Sequence, residues 1–359
     1  MRKSIFILSL CALCLSLPLS AEVLERGVLY RSVDQHGDSL TVSGRLMVPQ
    51  DSTPKGIMLI PHYTIFCNDE APSNNPTHDA KVFRDDYVVL QPDYVGYGVT
   101  VDRTHPYLYG ELAARNTVDL YLAMLPVLDS MALGIPLDSV YILGYSQGGA
   151  TALWTLKLIE EQYADRIHVK RCFAGGGPYD VAATFDEASL SLQYAMPMII
   201  PILVMGTSAA YDLDLEQDYF FTPALQRAYA KWIEPKNTKP LDIYFRMPVH
   251  LRSHWLTPQA MDKTLPQTQR FYAGLLHSSL VHYPVLENDT DSIIPTWKPQ
   301  APLYIFHSTN DDIVTVRCSQ HLQRCYGDQP NIIWDFGRYG HHIQAVRVYV
   351  DHVMQLLEE

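Results

Sequence analysis

The chain has 359 residues, 47% of them hydrophobic and 18% charged, and its formal net charge at pH 7 is −12. These proportions indicate a globular protein with a sizeable core, built as one large domain or as a domain with an added cap. The excess of acidic groups excludes nucleic acid as an expected partner on electrostatic grounds.

Residues 1–21 have the pattern of a secretory signal peptide, since Arg2 and Lys3 precede an apolar stretch from Ile5 to Leu17 and a short segment that ends at Ala21. That stretch is too short to span a bilayer comfortably. The nearest later candidate for a membrane helix, residues 195–205, contains two prolines. We therefore expect a secreted or periplasmic protein with no membrane span.

Four cysteines follow the predicted signal peptide: Cys67, Cys172, Cys318 and Cys325. Export permits disulfides. Cys172 nevertheless lies in a predicted core strand. Cys318 and Cys325 lie seven residues apart on a predicted helix, which separates them by roughly 10 Å. We expect no disulfide framework.

Short apolar runs predict strands at residues 28–33 and 40–48, and the polar turn between them favours a hairpin. Buried strands are predicted at 56–60 and 87–90. A helical pattern then covers 111–125, and we expect Pro126 to end that helix.

A predicted strand at 140–143 and a predicted helix at 150–159 enclose Gly144-x-Ser146-x-Gly148. This is the nucleophile-elbow pattern of the α/β-hydrolases. A serine on such a turn presents its hydroxyl group above the sheet, and the glycines leave room for neighbouring backbone. An ordinary Gly/Ser turn is the alternative. We favour the elbow, with Ser146 as nucleophile, because the pattern stands between a strand and a helix.

The remaining predicted elements are strands at 169–174, 303–306 and 331–336 and a closing helix at 343–357. This alternation predicts an α/β fold with a mostly parallel central sheet and helices on both faces. Residues 186–299 interrupt the alternation. We interpret them as a cap inserted into a hydrolase core of residues 22–185 and 300–359. A helical layer without a role at the site is the alternative.

A polar loop with two adjacent acids follows the strand at 303–306. A catalytic serine needs a histidine base, and the base needs an acid to hold its tautomer. Asp311 is the preferred acid because it lies three residues before Val314, a spacing familiar after this strand. Asp312 is the second candidate, and a solvated turn is the alternative interpretation.

Two consecutive histidines, His341 and His342, stand between the last strand and the closing helix, where this fold places its base. His341 follows Gly340, and His342 lies three residues before Ala345. We expect one of the pair to be the base and slightly prefer His341. Other histidines are interpreted as ordinary loop or core residues: His62, His105 and His307.

The oxyanion hole of such an enzyme needs two backbone N–H groups directed at the developing charge. We expect one donor to be the N–H of Gln147, directly after the nucleophile. The loop after the strand at 56–60 should supply the other, and Tyr63 is the preferred donor there.

The sequence resembles the secretory lipase and esterase branch of the α/β-hydrolases. The segments that carry the resemblance are His62-x-Thr64, Pro92-Asp93-Tyr94-Val95-Gly96-Tyr97-Gly98, His105-Pro106-Tyr107, Gly144-Tyr145-Ser146-Gln147-Gly148-Gly149 and Gly177-Pro178-Tyr179-Asp180. The resemblance implies a Ser-Asp-His triad and cleavage of carboxylic esters. In this chain Tyr63 replaces the glycine that usually follows the loop histidine, and its bulk is expected to narrow the acyl pocket.

These observations predict a secreted serine esterase that acts on a small-molecule ester through an acyl-enzyme, with no metal and no organic cofactor. A serine peptidase of the prolyl-oligopeptidase type is one alternative, although that class usually carries a β-propeller ahead of its catalytic domain. A non-catalytic binding protein on a hydrolase scaffold is another. The order Ser, Asp, His along the chain argues against a binding role.

Overall fold

A computed structural model describes residues 22–191, 194–247, 254–282 and 294–359 of the chain. The predicted signal peptide, residues 1–21, lies outside the described residues. Within the described ranges, no helix is long and apolar enough to cross a membrane.

The centre of the fold is a mixed sheet of eight strands, in the order β1-β2-β4-β3-β5-β6-β9-β10, while β7 and β8 form a separate ribbon. β1 and β2 form the predicted antiparallel hairpin, β2 is antiparallel to β4, and the remaining neighbours are parallel. The mostly parallel sheet predicted from the sequence is therefore confirmed. The strands are β1 Val23–Val33, β2 Ser39–Pro49, β3 Ile57–Leu59, β4 Val88–Pro92, β5 Ser139–Tyr145, β6 His168–Gly175, β7 Val281–His282, β8 Ile294–Pro295, β9 Leu303–Ser308 and β10 Ile332–Gly337.

Helices cover both faces of the sheet and fill the segment between β6 and β9. They are α1 His78–Phe83, α2 Gly110–Ser130, α3 Gln147–Gln162, α4 Val181–Leu190, α5 Ile199–Tyr211, α6 Gln217–Phe220, α7 Pro223–Ala228, α8 Pro240–Arg246, α9 Pro266–His277, α10 Arg317–Tyr326 and α11 His342–Glu358. A π-helical turn, Tyr229–Ile233, follows α7 directly.

Strand side chains alternate between two cores, one on each face of the sheet. Ile57 and Leu59 pack into the core that contains α2 and α3, whereas Met58 and Ile60 pack into the core that contains α1 and α11. A strand buried on both faces needs a continuous apolar run. This requirement explains why the central strands could be predicted from the sequence.

The prediction that Pro126 ends this helix is wrong, because α2 continues through Pro126 and ends at Ser130. Proline has no N–H to donate to the carbonyl four residues earlier, which costs about 3 kcal/mol in a helix interior. Leu128, beyond the proline, is fully buried. Its burial returns about 1.5–3 kcal/mol and offsets much of that cost.

Residues 186–299 contact loops at the carboxyl edge of the sheet. A Cβ atom placed on Gly206 of α5 would lie 2.6 Å from the backbone nitrogen of Tyr107, which belongs to the connection between β4 and α2. The hydroxyl group of Tyr194 donates to the carbonyl of Ile313, in the loop after β9, at 2.9 Å. These contacts hold the inserted segment beside the loops that carry the candidate site residues.

Candidate active site

Ser146 occupies the turn between β5 and α3. Its backbone has φ 59° and ψ −125°, a strained conformation for a residue with a side chain. Glycine is required on both sides of the serine because backbone atoms of neighbouring segments lie very close to these positions. A Cβ on Gly144 would lie 2.1 Å from the carbonyl oxygen of Gly148, and one on Gly148 would lie 2.2 Å from that of Pro61. The strand, turn and helix expected around the elbow are all present.

His342 is the first residue of α11, and its Nε2 lies 2.9 Å from Ser146 Oγ. The residue is 5% exposed. Its carbonyl oxygen accepts a hydrogen bond of 2.9 Å from the hydroxyl group of Tyr145, the neighbour of Ser146. The elbow strand thus holds the start of α11 directly against the serine.

Asp311 lies on the other side of the imidazole, with Oδ2 2.5 Å from Nδ1 of His342. Its Oδ1 accepts backbone N–H bonds from Ile313 at 2.9 Å and Val314 at 2.7 Å. An ionised carboxylate only accepts hydrogen bonds, so the imidazole proton belongs on Nδ1. Nε2 is then free to accept the proton of the Ser146 hydroxyl group.

The carboxylate of Asp311 stays ionised although it is buried. Burial, the largest influence, raises its pKa, but His342 and His307 together outweigh burial and hold the pKa well below its usual range. The site therefore contains a fixed negative charge beside the imidazole.

The structure places His342, and not the slightly preferred His341, against Ser146. His341 caps the N-terminus of α11, and its side chain is 63% exposed, 3.4 Å from Asp312. Successive helical residues point about 100° apart, so only one of the pair faces the sheet. The spacing of His342 from the buried Ala345, Tyr349 and Val353 places it on the apolar stripe of α11.

Asp312, the second candidate acid, accepts a backbone bond of 3.2 Å from the N–H of His342 through Oδ1. Its side chain is 41% exposed, whereas that of Asp311 is completely buried. Asp312 thus contacts the helix terminus, and only Asp311 contacts the imidazole of His342.

His307 is a neighbour of the site that the sequence interpretation left as an ordinary residue. It is completely buried in β9, and its Nε2 lies 3.0 Å from the carbonyl of Val314 and 3.4 Å from Asp311 Oδ2. Its Nδ1 lies 2.7 Å from the hydroxyl group of Ser319. In the sequence, its position four residues before Asp311 was the signal that could have identified His307 as a neighbour of the site.

The loop after β3 runs directly along the elbow, where the oxyanion hole was predicted. A Cβ on Gly148 would lie 3.1 Å from the carbonyl oxygen of His62. Gln147 is the first residue of α3, where backbone N–H groups have no partner inside the helix. The side chain of Tyr63 packs against Ile65, and the narrowing of the acyl pocket expected from its size stays a prediction.

No family model matches the chain. The secreted triacylglycerol lipase LIP5 of Malassezia furfur is 24% identical over 272 residues, which cover 72% of this chain and 62% of that relative, so the chain spans about three fifths of its length. A protein of Legionella pneumophila superposes with a TM-score of 0.78 at 19% identity, over 96% of this chain and 90% of its own. The rice cell wall degrading esterase LipA of Xanthomonas oryzae superposes with a TM-score of 0.76 at 21% identity, over 93% and 89% respectively.

The chain has the α/β-hydrolase fold. A curated lipase and a solved esterase are among its relatives, which confirms the predicted resemblance to the lipase and esterase branch of the superfamily.

In this fold, a buried histidine lies between the elbow and a cavity that α5 helps to line. His105 Nδ1 donates to the carbonyl of Val95 at 2.7 Å, so its Nε2 accepts from the side-chain amide of Gln147 at 2.9 Å. Burial lowers the pKa of His105 to about 3, which keeps the ring neutral. The cavity beyond it has a volume of about 120 Å³. Its walls include Tyr97, His105, Ile202, Met205, Tyr229 and Ile233.

Among the described residues of this hydrolase fold, no group of three or more His, Cys, Asp and Glu side chains could hold a metal ion. The four cysteines predicted to lack disulfide partners are all free and buried.

Proposed function

We propose that this α/β-hydrolase is a serine esterase, with Ser146 as nucleophile, His342 as general base and Asp311 as the acid that orients the base. One observation carries the proposal: the continuous hydrogen-bonded chain from Asp311 through His342 to Ser146, with distances of 2.5 and 2.9 Å. This order of acceptor, donor and acceptor is what activation of a serine hydroxyl group requires.

The reaction divides into two steps. Ser146 Oγ attacks the ester carbonyl carbon while its proton moves to Nε2 of His342, and the negative Asp311 stabilises the imidazolium that forms. The tetrahedral intermediate expels the alcohol, which takes the proton from His342. Water then attacks the acyl-enzyme by the same route, and the carboxylic acid leaves. This chemistry needs no metal and no organic cofactor.

The oxyanion hole is proposed to consist of the backbone N–H groups of Gln147 and Tyr63. The dipole of α3 adds positive potential at the same position, because its N-terminus lies at the nucleophile. The close approach of the 61–62 backbone to Gly148 supports the pairing of these two donors.

Residues 186–299 are proposed to act as a cap that shapes the substrate site, on a core of residues 22–185 and 300–359. α5 supports this role, since Ile202 and Met205 line the cavity on the far side of His105. Export through the predicted signal peptide completes the proposal and makes the enzyme secreted or periplasmic.

Substitution of the nucleophile tests the proposal. Ser146→Ala should lower ester hydrolysis on the order of a million-fold and abolish labelling by a fluorophosphonate probe. Ser139→Ala, at the start of the same strand, is the matched control and should behave like the parent. Hydrolysis by Ser146→Ala within about tenfold of the parent would refute the role. A parent that takes no label would be a binding protein, and faster cleavage of peptides than of esters would indicate a peptidase.

A further inference from the structure

We propose that Tyr94 is a positioning residue for the oxyanion hole. Its hydroxyl group holds the carbonyl of His62 and thereby directs the N–H of Tyr63 at the oxyanion. The inference rests on the proposed function, because it concerns the donor assigned there to Tyr63. It gives a role to the Asp-Tyr-x-Gly-Tyr-Gly segment, which the triad leaves unexplained.

The first step is the geometry of one peptide plane. The hydroxyl group of Tyr94 donates to the carbonyl oxygen of His62 at 3.2 Å, and both residues are almost completely buried. The described residues contain no cis peptide bond. In a planar trans peptide the C=O and the following N–H point in opposite directions. A hydrogen bond that fixes the carbonyl of His62 therefore also fixes the direction of the N–H of Tyr63.

The second step concerns the next peptide plane. Nδ1 of His62 lies 2.6 Å from the carbonyl oxygen of Tyr63, and Nε2 lies 3.1 Å from that of Asp93. Burial lowers the pKa of His62, so the neutral ring has one N–H, and we assign it to Nδ1, which makes the shorter contact. The ring of Tyr94 covers this imidazole, with 4.1 Å between the two ring centroids. Both planes that flank the Cα atom of Tyr63 are thus held, and the N–H cannot turn without loss of a buried hydrogen bond.

The third step is the backbone of Tyr94 itself, which has φ 64°, in the left-handed region. A bulky residue is rare there, and glycine would adopt this conformation without strain. The strained turn is maintained by Asp93, whose Oδ1 accepts from the N–H of Ser73 at 2.7 Å and whose Oδ2 accepts from the hydroxyl group of Ser43 at 2.5 Å. A strained residue so firmly held at the edge of a site indicates a specific use of its side chain.

Tyr94 also contacts the support of the second proposed donor. Its ring stacks on His105, with centroids 5.9 Å apart and planes 9° apart, and His105 accepts from the side chain of Gln147. The ring of Tyr94 therefore lies between His62, which holds the backbone of Tyr63, and His105, which holds the side chain of Gln147.

A matched control exists at the opposite end of β5. Tyr121 is also buried, and its hydroxyl group donates to the carbonyl of Leu137, which precedes β5, whereas Ser146 follows that strand. The N–H in that peptide belongs to Asp138, so it is not a proposed oxyanion donor. Tyr94→Phe and Tyr121→Phe each remove one buried hydroxyl group that donates to a backbone carbonyl, and only the first should affect the oxyanion.

The experiment measures kcat, KM and inhibition by a trifluoromethyl ketone analogue of the ester, which forms a tetrahedral oxyanion on Ser146. Tyr94→Phe should lower kcat by about tenfold with KM within about twofold, the signature of an interaction made in the transition state. The inhibition constant should rise by the factor by which kcat/KM falls. Tyr121→Phe should leave kcat within about twofold of the parent.

An unchanged kcat in Tyr94→Phe, an equal loss in both variants, or a change confined to KM would overturn the inference. If Tyr94→Phe does not fold, difluorotyrosine at position 94 retains the ring and hydroxyl group but alters the donor strength. It must then change kcat, and the same replacement at position 121 must not. Failure of the parent to hydrolyse esters would instead refute the proposed function, so the two failures are distinguishable.

Discussion

Ser146, His342 and Asp311 can act together only if each proton is on the right atom. Asp311 accepts at both oxygens, so the proton on Nδ1 of His342 is determined by the partner and Nε2 faces Ser146 as an acceptor. The side chains involved come from loops after β5 and β9 and from the start of α11. Because these loops and the start of α11 meet at the carboxyl edge of the parallel strands, substitutions of single residues there should lower activity without unfolding the protein.

We expect His342→Ala to lower turnover by roughly a hundred-fold or more, because it removes the group that contacts Ser146. His341→Ala is the matched control. It removes an exposed imidazole one residue away and should keep near-parental turnover. Steady-state kinetics on one ester substrate decide between the two. Loss of activity in His341→Ala alone would contradict the assignment, and activity in both variants would require another base.

Asp311→Asn should lower kcat by about four orders of magnitude, since the amide can donate to Nδ1 and so stabilise the wrong tautomer of His342. Asp312→Asn should have a much smaller effect, because Asp312 contacts only the backbone N–H of His342 and the exposed His341. Both variants conserve side-chain shape, so a comparison of kcat is direct. The opposite ranking would transfer the orienting role to Asp312.

One lysine adds to the contacts between residues 186–299 and the core. Lys236, just after the π-helical turn, donates from Nζ to the carbonyls of Gly96, Val101 and Arg103 at 2.7, 3.0 and 2.5 Å. All three carbonyls belong to the connection between β4 and α2. The ammonium group has three N–H donors, and each donates to one of these carbonyls. This contact joins the proposed cap to the loop that carries His105.

We expect Lys236→Met to lower the free energy of unfolding by about 1–3 kcal/mol, because three carbonyls lose a charged donor. KM should rise as well, since Lys236 lines the cavity beyond His105. Lys239→Met, at an exposed position three residues later, is the control. Urea unfolding and ester kinetics test both variants. Equal stability of the two would show that the contact does not fasten the segment.

At the scale of the molecule, no disulfide cross-links the part of the chain that the structure describes. Cys67, Cys172, Cys318 and Cys325 are all free and buried. Burial is the main cause that raises the pKa of each thiol. Thiols with raised pKa values inside the core react slowly, because the thiolate is the reactive form.

We therefore predict that Ellman's reagent detects almost no thiol in the native exported protein and four after unfolding in guanidinium. A reducing agent should leave the melting temperature unchanged. The count also tests the signal peptide, since the complete sequence contains six cysteines and two lie in residues 1–21. Six thiols, together with an intact mass that includes residues 1–21, would contradict removal of that segment. Fewer than four would reveal a disulfide.

Much of this fold could be read from local patterns. The buried strands, the elbow and the short segments around Asp311 and the two histidines were each predicted from residues close together in the chain, where apolar runs and turn residues carry the information. The spacing of Asp311 from Val314 was informative for the same reason. Its carboxylate accepts from the backbone N–H of that residue.

Other features depended on contacts between distant segments. The choice of His342 over its neighbour follows from the rotation of α11 against the sheet, and α2 passes Pro126 because Leu128 is buried beyond it. The bond from Tyr94 to His62 joins residues 32 positions apart. Packing selects among locally equivalent residues, because burial and hydrogen-bond geometry are properties of the assembled layers and not of a short stretch of chain.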